Sequence, residues 1–131
     1  MKNKTNLIIN ILVILAMTFF AIPKLLGKPQ SIEGFKQFEA AIHIDADLFR
    51  IFTGVSELAI VALVLLYALS HDKIIGTMAF GFLLVTMISA LGLEFFARPE
   101  PKILLVIIAV FLSIMAAYQL KKLTQHKTLI I

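Results

Sequence analysis

Apolar residues run along this chain in four long blocks, and charge or proline marks the end of each. Residues 7–22 carry no charge, and the run reaches residue 26 if Lys24 snorkels its ammonium to an interface. The second block covers residues 48–69, with Glu57 as the one charge between 51 and 69. The third covers residues 74–97 and is uncharged as far as 93; the fourth, residues 103–120, is uncharged throughout. At about 1.5 Å rise per residue, each block is long enough to cross a hydrocarbon core of roughly 30 Å. Backbone groups in lipid must be satisfied within their own segment, so these blocks are predicted to be helices. None shows the alternation that a membrane strand requires. The pattern predicts an all-α, four-helix transmembrane bundle, one domain over residues 1–131.

Lys2 and Lys4 precede the first block as they would in a secretory leader, but the apolar run is long for one. A cut at Ala21 would also place Phe19 where a small residue is needed. The first block therefore reads as a retained span. Pro23, near its far end, frees the carbonyl of Phe19 and bends or ends the helix.

The connections differ in kind. Residues 70–73 make a tight hairpin, and residues 98–102 (Arg-Pro-Glu-Pro-Lys) a short stop. Residues 27–47 are longer. Ser31 is positioned to cap a helix, with Glu33 in its first turn. Ile32, Phe35, Phe38 and Ile42 follow at spacings of three and four, while Glu33, Lys36, Gln37 and Glu39 occupy the remainder. This is a short amphipathic helix, lying in the interface or packed over the bundle mouth. In either position it is a lid.

Composition agrees with the pattern. The chain is 60% hydrophobic and 15% charged, against about 45–50% and about 25% in soluble domains. A chain of 131 residues cannot hide that much apolar surface from water, which excludes a soluble enzyme and a disordered tail. The absence of cysteine excludes disulfides, thiolate metal sites and dithiol redox motifs. Basic residues divide six against six between the two membrane sides, so counting them sets no orientation. Acids concentrate opposite the termini, which favours cytoplasmic termini. The net charge of +4 reads as juxtamembrane lysines facing anionic lipid. No basic–aromatic stripe points to nucleic acid.

Ionisable residues inside spans are costly and face the bundle interior, so Glu57 is the first functional candidate. Arg50 lies two turns before it on the same face, with Thr53 and Gly54 between. Glu94 shares a face with Met87 and Ala90 on the third span, and Asn10, Met17 and Lys24 share one on the first. Lys24, Arg50 and Glu94 are expected at one depth near the lid, as a polar rim. Glu57 is expected about 10 Å deeper; the four groups either form a neutralised network that fixes helix register or line a cavity that meets a ligand head group or passes a proton. The fourth span offers Ser113 and Gln119 and reads as a packing helix. Gly76, Gly81, Ser89 and Gly92 read as small residues for close helix packing. His43, His71 and His126 lack ligand spacing, so no metal site is expected, and no catalytic constellation appears.

Two stretches, Pro23-Lys24-Leu25-Leu26-Gly27 and Phe49-Arg50-Ile51-Phe52-Thr53-Gly54-Val55-Ser56-Glu57-Leu58, resemble the DoxX-like family of small four-helix membrane proteins. Its members tend to end the first span with Lys-Leu-x-Gly and to carry Thr-Gly-x-x-Glu in the second. A third element, Thr-Met-x-Gly-Ala followed by His, is matched in part by Thr86-Met87-Ile88-Ser89-Ala90; Ser89 replaces the glycine and Glu94 stands near the histidine position. The resemblance implies an accessory subunit of a redox-linked membrane complex in a bacterial cytoplasmic membrane. It also implies a bound quinone or other lipid-like ligand, and a membrane redox partner or a second copy of the chain. With no redox group of its own, the chain would have to borrow one. Glu57, Arg50, Glu94, Lys24, Thr53 and Gly54 are the candidate ligand or proton site. A small proton-coupled carrier and a structural scaffold are the other readings.

Overall fold

A computed structural model describes residues 2–97 and 102–130, with side chains over 4–97 and 102–124. The chain forms α1 (Lys2–Leu26), α2 (Pro29–Ile42), α3 (Ala46–Ser70), α4 (Lys73–Gly92), a π-helical turn (Leu93–Ala97) and α5 (Ile103–Ile130). Among the described residues, four segments are long and apolar enough to cross a membrane: Lys4–Leu26, Ala46–Ser70, Lys73–Ala97 and Ile103–Thr124. The chain is a multi-pass integral membrane protein built as an all-α, four-helix bundle. Residues 98–101 of the last stop lie outside the described residues, as do the side chains of His126 and Lys127.

The helices are fixed by their ends as much as by their apolar runs. Asp45 caps α3 by accepting from Leu48 N (2.9 Å), and Asp72 caps α4 by accepting from Ile74 N (2.8 Å). His43 and His71 close α2 and α3 in the left-handed conformation, each donating its backbone N–H to a carbonyl of the last turn. Helix α2 begins at Pro29 rather than at a Ser31 cap. A first-turn proline loses no hydrogen bond, because its missing N–H would have had no partner.

Helix α1 packs along α3, α3 along α4, and α4 along α5, while α1 and α5, which would close the ring, come less close. The central layer is apolar and fully buried, with Val13 and Met17 from α1, Ile60 and Val64 from α3, Phe80 and Leu83 from α4. Only 28% of each span is buried inside the bundle, and the outward remainder is apolar, as with Phe19, Leu69, Phe96 and Leu104. That surface is the lipid contact. Of the small residues on α4, Gly76 sits where a Cβ would meet the Tyr67 ring at 2.7 Å, whereas Gly81 and Gly92 face open space.

Helix α2 crosses α3 and the π-helical turn at the end of the bundle remote from the termini. Phe35 and Phe38 are buried, and both meet Phe49 edge to face, at ring separations of 5.3 and 6.4 Å. Ala46, Ala97 and Leu93 complete this second apolar cluster. Ile42 is 38% exposed and takes no part in the buried face. The amphipathic segment therefore packs over the bundle mouth as a lid.

Candidate functional site

Beneath the lid, α1 ends in a tight motif. Gly27 adopts φ +69°, and Lys28 N donates to Pro23 O at 3.0 Å, an i to i−5 closure of the helix. Arg50 from α3 completes it by donating through Nη1 to Lys24 O, with its guanidinium against Gly27. A cation is favourable at a helix C-terminus, where carbonyls lack partners. Its Nη2 also reaches Asp47 Oδ1 at 3.4 Å, one turn back on α3. Arg50 is buried and serves the end of α1.

Lys24 turns the other way. Its Nζ lies 3.0 Å from Glu57 Oε1, donates to Glu57 Oε2 at 3.2 Å and to Phe20 O at 3.2 Å, and sits over the Phe20 ring. Lys24 and Glu57 thus form part of the expected network, while the expected common depth of the Lys24 and Arg50 head groups is overturned. Side chains on a helix lean towards its N-terminus. Since α1 and α3 are antiparallel, Lys24 leans inward and Glu57 leans towards the lid, and together they bridge the 10 Å expected from backbone arithmetic. Gly54 permits the approach: a Cβ there would meet Leu25 at 3.0 Å and Lys24 Cβ at 3.2 Å.

The remaining candidates are placed apart from this pair. Thr53 donates its hydroxyl to Phe49 O at 2.8 Å, within its own helix. Glu94 is 5% exposed, and its Oε1 accepts from Lys102 N at 2.9 Å. Val106 N donates to Lys102 O, so Lys102 is the residue that opens α5, and Glu94 caps that helix from the π-helical turn. Of the six candidates, the structure gathers Lys24, Arg50, Gly54 and Glu57 at the α1–α3 contact.

Glu57 is 4% exposed, and the side chain of Lys24 is 18% exposed. Glu57 Oε1 is in ion-pair contact with Lys24 but receives no hydrogen bond. The carboxylate is thus buried against the ammonium, while the lysine side chain as a whole is still partly exposed. Among the described residues, no group of histidine, aspartate and glutamate is arranged to hold a metal ion. Sequence reasoning missed Asp47 as the partner of Arg50, the Phe20 carbonyl as an acceptor for Lys24, and Glu94 as a cap. Only Asp47, at i−3 from Arg50, carried a spacing signal. No family model, curated protein or solved structure matches the chain.

Proposed function

We propose that this membrane protein is a DoxX-like accessory subunit that binds a quinone or another lipid-like molecule beneath α2, with its polar head group at Lys24 and Glu57. The observation that carries this reading is the buried Lys24–Glu57 ion pair at the α1–α3 contact, with the lysine side chain still partly exposed. Lys24 offers a donor to a carbonyl, and Glu57 Oε1 accepts from a hydroxyl or transfers a proton with it. The apolar tail would lie along the lipid-facing side of the bundle. Arg50 and Glu94 support the site by closing α1 and opening α5, and Gly54 holds Lys24 close to α3. Any redox chemistry belongs to the ligand or to a membrane partner.

The test is mass spectrometry of small molecules that co-purify with the wild-type chain and with Glu57→Gln. A lipid-like molecule enriched with the wild type and depleted in the variant is expected. Identical, unselective phospholipids in both would remove the reading. The intramembrane carboxylate also favours a proton-coupled carrier as a second reading. Glu57-dependent proton or solute flux in proteoliposomes would establish that alternative, and its absence would discard it.

A further inference from the structure

The half of the bundle away from the lid holds a polar feature that the Lys24–Glu57 pair does not use. Gln119 on α5 is completely buried, and neither its Oε1 nor its Nε2 has a hydrogen-bond partner. Asn10 on α1 is 5% exposed, and its Oδ1 has none. One contact sets where they lie. Lys122 Nζ donates to Asn6 Oδ1 at 3.0 Å and joins antiparallel α1 and α5 to within about a turn of register. A single turn further into the membrane carries α1 from Asn6 to Asn10 and α5 from Lys122 back to Gln119. The two amides therefore occupy facing stripes of the α1–α5 seam, where the ring of helices is least closely packed.

A buried amide without a partner is unfavourable, and more so where hydrocarbon replaces water. Three such atoms at the loosest seam mark a place suited to receive a polar group from outside the bundle. We propose that the α1–α5 seam opens to bind the uncharged, oxygen-bearing head group of an amphiphile. Its hydroxyl or carbonyl oxygen accepts from Gln119 Nε2, and a hydroxyl donates to Asn10 Oδ1 or Gln119 Oε1. Neutrality follows from the amides themselves, which bring donors and acceptors but no countercharge for an ion in low dielectric. Fully buried Val13 and Ala116 continue the same stripes inward and suit an apolar tail. At the mouth, Lys122 lies over the ring of outward-facing Tyr118, 5.8 Å from its centroid, where a head group would pass.

Native mass spectrometry of the full chain in micelles, with monoolein as the neutral probe and oleate as the charged one, tests the proposal. Monoolein should bind the wild type and bind Gln119→Leu roughly tenfold more weakly, as expected for the loss of its hydrogen bonds. A second arm does not depend on the variant's folding. The chain contains no cysteine, so Asn6→Cys with Lys122→Cys can be bridged by a short bis-methanethiosulfonate. Bridging should abolish monoolein binding, and reductant should restore it. Equal monoolein binding by wild type, Gln119→Leu and the bridged protein overturns the proposal, as does oleate binding with the same dependence on Gln119 and the bridge. Because these amides sit in the opposite half from Lys24 and Glu57, failure here leaves the lid-side reading intact, and failure there leaves this one.

Discussion

Lys24 joins α3 twice, through its carbonyl to Arg50 and through its ammonium to Glu57. Removing one partner of a buried ion pair leaves an uncompensated charge, whereas replacing both by apolar residues of similar size is often neutral or stabilising. Lys24→Met should therefore destabilise the bundle by about 3–5 kcal/mol. The double variant Lys24→Met with Glu57→Met should unfold near the wild type, while losing any ligand held by the pair. Thermal unfolding in micelles, read beside bound-molecule content, separates the stabilising role from the binding one. At Arg50 the expected effect is local: Arg50→Gln should speed hydrogen exchange of the Lys28 amide, which closes α1, more than that of amides in the middle of α3. The sequence made Lys24, Arg50, Glu57 and Gly54 legible as one group, since helical spacing places backbone positions well. It misjudged the head groups, because a long side chain leaning along its own helix displaces its charge by about a turn, in opposite directions on antiparallel helices. The cap made by Glu94 left no trace in the sequence, since an acid eight residues before a backbone N–H has no periodic signature.

At the scale of elements, close contacts and open faces on one helix predict opposite responses to the same substitution. Gly76→Ala pushes a methyl into the Tyr67 ring and should cost about 1–3 kcal/mol, outweighing the better helix propensity of alanine. Gly81→Ala meets nothing within 4 Å and should be neutral or stabilising by up to about 1 kcal/mol. Paired unfolding curves in micelles check the sign of each. The reading of the small residues on α4 as close-packing positions holds at Gly76 but not at Gly81 and Gly92, because composition records which residues are small but not which face has a neighbour. The lid was legible through its phenylalanines. Its start was displaced by three residues, the cap moving from Ser31 to Lys28, because a proline at the first helical position and a serine cap are both acceptable openings and only the fold selects between them.

At the scale of the molecule, four crossings place both ends of the chain and the α3–α4 hairpin on one side and the lid on the other. In the cysteine-free chain, Lys121→Cys and Ile44→Cys should react with a membrane-impermeant thiol reagent from opposite sides of a sealed vesicle. Reaction of both from the same side would break the four-span topology. The topology was readable because hydrocarbon imposes a length and a backbone rule that few sequences satisfy by accident. The order in which helices neighbour one another was not, since apolar faces of similar composition do not name their partners.

The pairing of Lys24 with Glu57 has a consequence for biosynthesis. The two residues lie 33 positions apart, so the lysine is made well before the acid that neutralises it. At about 5–20 residues per second, the delay is roughly 2–7 s. During that interval α1 sits in the membrane with its ammonium unpaired, and the stable position for that charge is the water-facing interface. Arrival of α3 draws it inward. The same lysine thus anchors the nascent first span and later locks it, its long side chain swinging from the interface to Glu57.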